Sequence, residues 1–388
     1  MFSLPEQVLC VFSLLESAGY EAYLVGGSVR DLLRGDVPSD FDMATSARPE
    51  ETLAVFSDFR TVETGLRHGT VTVLIDGMPI EITTYRVDGA YTDHRRPDSV
   101  TFTSSIEEDL SRRDLTINAM AYHPSRGLLD PFGGARDLSE GVVRAVGDPR
   151  TRFSEDALRI LRALRFAARF SFGIEQKTAE AAAALSHTLS AVASERIREE
   201  FFRLLVSPGV DTVLSGYGDI LSDILPGLPL RVSLAVLPAE LPLRAAALLA
   251  SMGGGYAEAF LRSLRTDNAT AREILQTVAA LEVAPPTEDV ALLRLLRDFG
   301  IDAVRRAAVI WETRGVSVGV SALLRKVLAS GRPYAVSMLA LGGEELKKIG
   351  IPAGPKMGET LRLLLDAVIE GKVKNSRGEL LSLVKGMQ

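Results

Sequence analysis

Cysteine and histidine are scarce in this chain, and the scarcity excludes whole classes of protein. Cys10 is the single cysteine, so neither a disulfide framework nor a cysteine-rich zinc site is available, and a reducing cytoplasm is the expected setting. The four histidines, His68, His94, His123 and His187, form no HD or HxxH pairing, which argues against an appended metal-dependent phosphohydrolase and against zinc. No uninterrupted apolar run reaches the roughly 20 residues that cross a bilayer, so no membrane span is expected. The opening stretch MFSLPEQVLCVFSLLESAGY lacks a basic n-region and carries Glu6 and Glu16 within its apolar pattern. It reads as an amphipathic helix and not as a signal peptide. A P-loop kinase is disfavoured because no G-x-x-x-x-G-K-S/T occurs. Net positive charge is missing too: the formal balance is −6, mildly against a nucleic-acid partner. Clustering matters more than the total, however. Arg112, Arg113, Arg159, Arg162, Arg165 and Arg169 crowd one region, and a lysine-rich group lies near the C-terminus.

At 388 residues the chain is too long for one compact core, and more than one domain is expected. The pattern changes near residue 150. Before it come short strand-like runs, Tyr23 to Val25, Phe41 to Ala44, Thr70 to Ile75, Ile80 to Tyr85 and Ser99 to Phe102, with turn signals such as Asp76-Gly77 between them. After it the pattern is helical almost throughout, punctuated by Pro and Gly clusters near 207–209, 225–229, 285–286 and 352–358. An α+β protein follows, with a small mixed β-sheet head and an elongated all-α arm. No fixed-period repeat is present.

Chemistry concentrates first in residues 24–42, LVGGSVRDLLRGDVPSDFD. A short strand runs into Gly26-Gly27, which permits a tight turn and lets a ligand approach bare backbone. Ser28 to Leu33 reads as a helical turn whose first amides can form an anion-binding nest. Asp40 and Asp42 then stand at i and i+2 of an extended segment, which places both carboxylates on one face with Phe41 opposite. Like charges held that close call for a cation between them, and oxygen-only ligands suit Mg²⁺. Glu81, in the strand-like MPIEITTYR, is a candidate third carboxylate; an exposed strand glutamate is the equally simple alternative.

Further motifs follow in order. Residues from Val87 to Glu108 are polar and long enough for a mobile loop. In SRRDLTINAMAY, residues 111–122, Arg112 and Arg113 are cations beside Asp114, and the run through Thr116, Asn118 and Ala119 reads as a helix packed under the site. An arginine there can grip phosphate or ribose oxygens, while Asp114 and Asn118 can hold it or accept from a 2′-hydroxyl. LLDPFGG, residues 128–134, is a turn signal with Asp130 and two glycines, suited to a hinge or a strand-to-loop switch. Ser154 reads as an N-cap with Glu155 and Asp156 in the first turn of a helix. Asp156 and Arg159, three apart on one helical face, pair an acceptor with a forked donor that can address the Watson–Crick edge of a base. Arg162, Arg165 and Arg169 continue at helical spacing, either supporting that face, meeting RNA, or forming a solvated face. Ser194 is a candidate cap for ASERIREEFFRLL, with Ile197, Phe201, Phe202 and Leu205 as its packing stripe.

LVGGSVRDLLRG with DFD resembles the first motif of the class II tRNA nucleotidyltransferases, the CCA-adding enzymes, and of the bacterial poly(A) polymerases similar to them, whose head belongs to the DNA polymerase β nucleotidyltransferase superfamily. The resemblance extends through RRD, which departs only in Leu115 where Phe is usual, DPFGG, EDALR, Glu195-Arg196 and the segment IGIPAGPKMGETLRLLL. It implies a nucleotidyltransferase head over 1–148, a helical base-recognition neck over 149–206, a body over 207–300 and a tRNA-binding tail over 301–388. It further implies template-independent addition of CCA to tRNA from CTP and ATP. Asp40 and Asp42, with Glu81 as a candidate third ligand, would hold two Mg²⁺ ions. Gly26, Gly27 and Arg30 would hold the triphosphate; Arg113, Asp114 and Asn118 the ribose or phosphate. Asp156 and Arg159 would read the base, supported by Glu155, Arg162 and Arg165, with Glu195 and Arg196 bracing that helix. Lys347, Lys348 and Lys356 would contact tRNA backbone, although ordinary helix capping explains them nearly as well. The flexible loop of CCA-adding enzymes corresponds to the long stretch after Val87. His68, in RHGTV, reads as structural. Beyond tRNA and nucleotides no partner is called for. The alternatives are an A-adding-only enzyme, a poly(A) polymerase, which should carry a basic extension where this sequence stops at Gln388, and a non-catalytic RNA-binding scaffold.

Overall fold

The computed structural model describes residues 2–63, 65–66, 69–89, 100–228 and 232–386. His68, His94 and residues 90–99 of the expected loop lie outside the described residues. The chain divides into two compact units, Met1–Arg231 and Val232–Gln388.

The first unit opens with α1 (Glu6–Ser17), β1 (Ala22–Val25), α2 (Gly27–Leu33), β2 (Phe41–Thr45) and α3 (Pro49–Val55). Next come β3 (Arg60–Val62), β4 (Thr70–Ile75), β5 (Met78–Thr84), β6 (Arg86–Asp88), β7 (Val100–Phe102), α4 (Ile106–Ser111), β8 (Ala121–His123) and β9 (Gly127–Leu129). Among the described residues one mixed sheet runs in the order β3-β4-β5-β2-β1-β8-β9. Only β2 and β5 pair in parallel, Asp42 standing beside Glu81 in that register. The β4–β5 hairpin turns at Asp76-Gly77, both at positive φ (49° and 82°), as the Asp-Gly signal requires. Alternation fixes the faces: Val71, Val73 and Ile75 of β4 with Ile80 and Ile82 of β5 point into a core shared with Val8, Val11, Phe12 and Leu15 of α1. The opposite face is closed by Tyr23, Val25, Ala44, Tyr85, Leu110 and Ala121.

After the sheet the unit becomes helical: α5 (Gly134–Glu140), the short pair β10 (Val142–Val143) and β11 (Gly173–Ile174), α6 (Pro149–Glu155), α7 (Leu158–Phe170), α8 (Gln176–Leu185), α9 (Ser194–Leu205), α10 (Val210–Gly216) and α11 (Gly218–Ser222). In the second unit the described regular elements are all helices, from α12 (Leu241–Leu249), α13 (Gly254–Ser263) and α14 (Asn268–Leu281) through α15 (Asp289–Phe299), α16 (Ile301–Thr313) and α17 (Val320–Ala329) to α18 (Gly343–Lys348), α19 (Pro355–Ile369) and α20 (Arg377–Gly386). The α+β expectation is met. No helix among the described residues is long and apolar enough to cross a membrane.

Three local expectations need correction. The run after Arg113 is not a helix: Thr116–Asn118 is a single 3-10 turn, and Ala121–His123 is strand β8 paired with β1. Thr116 Oγ1 donates to the buried Asp137 carboxylate at 2.6 Å, and strand pairing offers the following backbone a full ladder, which outweighs a weak helical pattern. Ser154 is not the N-cap of a helix; it lies inside α6, whose cap is Asp148, accepting from Thr151 N at 3.0 Å. Asp156 is consequently not a first-turn residue but the extended break between α6 and α7, at φ −139°, ψ 104°. Its carboxylate accepts from Leu158 N at 3.1 Å. Asp40, likewise, is the bend residue just before β2 and not a strand residue.

Candidate active site

Strand β1 ends in the turn that defines the site. Gly26 sits at φ +70° and ψ −130°, a conformation open essentially to glycine. A Cβ at Gly26 would also lie 2.9 Å from Arg113 Nη1 and 3.9 Å from Asp42 Oδ2. The turn feeds α2, whose first amides have no intrahelical acceptor. Ser28, wholly buried, receives the amide of Asp42 on its Oγ at 3.1 Å. The glycine turn is thereby tied to the carboxylate strand.

Asp42 projects from β2 beside Glu81 of β5, and Asp40 precedes it. Burial, then the neighbouring Asp40 and Glu81 carboxylates, push the Asp42 carboxyl up to about 6, against a smaller opposing pull from Arg113. Glu81 is exposed on the same side. Asp42 is thus left with too little positive charge beside it, and oxygen donors in that state fit a hard divalent cation, although among the described residues no three such side chains close round one metal position. The donor set matches Mg²⁺ and not zinc, since neither cysteine nor histidine takes part.

Asp40 and Asp42 form one edge of a cavity of about 650 Å³ that also gathers Gly26, Gly27, Arg30, Arg113, Asp114, Asn118, Asp156, Arg159, Arg162 and Arg165. Apart from Glu81, Glu155 and the tail lysines, every residue expected at the site meets here. The lining holds nine arginines against five aspartates, an excess of cations suited to a polyphosphate. Lys347, Lys348 and Lys356 belong to the second unit, exposed on α18 and in the first turn of α19; Lys347 pairs with Glu344 at 2.6 Å.

Each expected polar residue has a definite partner. Asp114 accepts from Arg162 Nε at 2.7 Å, from its neighbouring Leu115 amide at 2.8 Å and from Asn118 Nδ2 at 3.2 Å. Burial alone would raise its carboxyl, but the Arg162 charge and these hydrogen bonds hold it down at about 2. Arg113 reaches Asp109 and the Asn118 carbonyl, both at 3.3 Å. Arg159 donates to Glu155 at 2.7 Å and to the Arg112 carbonyl at 3.1 Å. Asp156 faces Arg196, at 2.8 and 3.4 Å. Asp156 and Arg159 therefore share the cavity while bonding different partners, each with hydrogen-bonding capacity left for a base edge. Arg165 is bound to Glu200 of α9 and lies 3.9 Å over the Phe166 ring. Glu155 acts behind the wall, pairing Arg152 and Arg159, both at 2.7 Å.

Asp31, Ser39, Phe166 and Arg203 also line the cavity without an expected role there, as do Arg112, Arg169 and Arg196, for which the sequence had offered supporting or RNA-contacting roles. The signal for some was present: Arg162, Phe166 and Arg169 share one face of α7, and Arg196, Glu200 and Arg203 one face of α9. Which faces meet is not encoded in either stripe alone.

Comparison with known proteins shows which family the chain resembles. A family model described as the poly A polymerase head domain matches residues 22–144, and one for tRNA nucleotidyltransferase domain 2 matches residues 244–384. The CCA-adding enzyme of Lactobacillus delbrueckii subsp. bulgaricus is 37% identical over 393 residues, covering 96% of this chain and 95% of its own. That of Geobacillus thermodenitrificans is 38% identical over 389 residues, covering 96% and 94%. The crystal structure of the Bacillus stearothermophilus CCA-adding enzyme in complex with CTP superposes with a TM-score of 0.83 at 30% identity, covering 98% of this chain and 97% of that one.

Proposed function

The chain belongs to the CCA-adding enzymes, and on that premise we propose how its own residues carry out the addition of the 3′-terminal CCA to tRNA from CTP and ATP. The observation that carries the reading is one cavity with a carboxylate edge at Asp40 and Asp42 and a hydrogen-bonding wall at Asp156 and Arg159. Chemistry and base selection then occur on one bound nucleotide without a template strand.

Asp40 and Asp42, with Glu81 beside them, would hold Mg²⁺. Two such ions supply activation of the RNA 3′-hydroxyl and charge neutralisation at the α-phosphate as pyrophosphate leaves. The Gly26-Gly27 turn lets the triphosphate approach the backbone of α2, and the surrounding guanidiniums compensate its charge. Arg113, held between Asp109 and the Asn118 carbonyl, faces the ribose-phosphate region. Asp156 accepts from and Arg159 donates to the Watson–Crick edge, small changes of angle favouring C or A. Arg196 keeps Asp156 from turning away. Exposed Lys348 and Lys356 suit contacts to tRNA phosphates. A head over 1–148, neck over 149–206, body over 207–300 and tail over 301–388, working in the cytoplasm, complete the reading.

The test is a tRNA lacking its terminal triplet, supplied with CTP alone, ATP alone or both. Two cytidines from CTP alone and a complete CCA from the mixture are expected. Adenosine addition without cytidine addition would overturn the reading.

A further inference from the structure

Asp109 lies on α4, outside the cavity lining and only 1% exposed, yet it gathers donors from both sides of the chain. Its Oδ1 accepts from Arg112 Nε at 3.0 Å and Nη2 at 2.7 Å, and from the backbone amide of Arg86 on β6 at 3.3 Å. Its Oδ2 accepts from Arg113 Nη2 at 3.3 Å. The two arginines follow Asp109 by three and four residues, which puts all three side chains on one helical face. Burial would push the Asp109 carboxyl up, but the Arg112 and Arg113 charges, with the hydrogen bonds donated by Arg112 and the Arg86 amide, hold it below the usual carboxylate range.

What this carboxylate fixes is the head of Arg113. Nη1 of that guanidinium donates to the Asn118 carbonyl at 3.3 Å, and a Cβ on Gly26 would come within 2.9 Å of it. With Nη2 on Asp109 the fork is held at two points, and its plane is set against the glycine turn. Each of these nitrogens keeps one N–H for a ligand. Released from Asp109, the guanidinium would be drawn toward Asp42, the carboxylate left among like charges, on which it already exerts an opposing pull.

Resting on the reading that Arg113 faces the ribose of the bound nucleotide, we propose that Asp109 is a positioning residue: it clamps the Arg113 fork against the glycine turn, away from Asp42, and thereby sets the preference for a ribonucleotide over its 2′-deoxy analogue. Asparagine has the same shape but a single acceptor oxygen. That oxygen stays with Arg112 and the Arg86 amide, which supply three of the four donors. The amide NH₂ then meets Arg113 donor to donor, and the clamp opens on that side alone.

The experiment uses the full-length chain with a tRNA lacking only its terminal adenosine, and compares kcat/KM for ATP with kcat/KM for 2′-deoxy-ATP. The unaltered chain is expected to prefer ATP. Asp109→Asn should lower the value for ATP by about tenfold, the scale of a lost hydrogen bond to a charged group, and that for 2′-deoxy-ATP by less than about threefold. A merely structural loss lowers the active fraction for both substrates alike and cancels in the ratio. Arg113→Lys keeps the charge without the fork and should lose the ATP preference as well. Its side chain is 20% exposed, so it tests the clamp even where Asp109→Asn folds poorly. Combining the two substitutions should cost no further preference. With an unaltered chain that prefers ATP, an unchanged ratio in either single variant overturns the proposal, and so does a double variant in which the two losses multiply. Equal use of both nucleotides by the unaltered chain would count against the ribose assignment of Arg113, and the proposal would fall with it. Failure of the unaltered chain to add any adenosine would overturn the family reading itself.

Discussion

Two carboxylates of the same cavity are treated in opposite ways. Asp114, buried beneath the RRD segment, is met by Arg162, Asn118 and a backbone amide, and its carboxyl is held down at about 2. Asp42, partly buried at the other edge, faces Asp40 and Glu81, and its carboxyl is pushed up to about 6. The first charge is satisfied by the fold and ties helix α7 to the RRD segment; the second is left unsatisfied by the fold. A protein tolerates such a carboxylate where something from outside completes it, which is why perturbed acids gather at functional sites.

Asp42→Asn tests this contrast most severely. Loss of the carboxylate proposed to hold Mg²⁺ should remove several kcal/mol of transition-state stabilisation, a fall in nucleotide incorporation of about 1,000-fold or more. The same substitution should stabilise the metal-free protein at pH 7.5 by about 1–3 kcal/mol, because it removes an ionised group whose folded-state acidity is weakened. The penalty has a sign and a window: it is absent below about pH 4, grows as Asp42 ionises, and is complete above about pH 6. Urea denaturation without divalent ions measures it, and an Asn variant less stable than the parent would break the comparison.

Asp114→Asn should act in the reverse direction. Removing the charged partner of Arg162 should destabilise the protein by about 2–3 kcal/mol. With its folded-state value depressed to about 2, Asp114 contributes stability that is fully present above about pH 4 and lost as pH falls toward 2. The parent should therefore weaken more steeply than the variant across that interval. Parallel curves would show that the Asp114–Arg162 pair does not tie the RRD segment to α7.

The smallest expected effect lies at the wall proposed to read the base. Arg196→Met should leave the fold standing, since Arg196 is part-exposed on α9, but it frees Asp156 from one side. The ratio of kcat/KM for CTP to that for ATP should change by about tenfold, the scale of one lost hydrogen bond to a charged group. An unchanged ratio would separate Asp156 from base selection.

Much of this was legible beforehand. The β1–Gly-Gly–α2–β2 order, the Asp76-Gly77 hairpin and the helical character after residue 150 follow from short-range chemistry, in which glycine licenses positive φ and side-chain period selects strand or helix. The errors share one cause. Ser154 and Asp156 are both good cap residues and Glu155 suits a first turn, so local rules could not say that α6 ends at Glu155, leaving Asp156 extended between two helices; Asp148 and Arg196, held elsewhere, decide that. Likewise the run from Thr116 to Ala121 has too little periodicity to reveal the 3-10 turn and strand that β1 and Asp137 impose.

Composition and spacing were enough to say that carboxylates, glycines and arginines for nucleotidyl transfer are present, because those signals are carried by neighbours along the chain. Which partner each cavity arginine takes, and which aspartate is left among like charges, was decided only when α2, α7, α9 and the β2–β5 pair came together. Coulomb energy and desolvation depend on neighbours in space, and Arg30 and Asn118 are 88 residues apart.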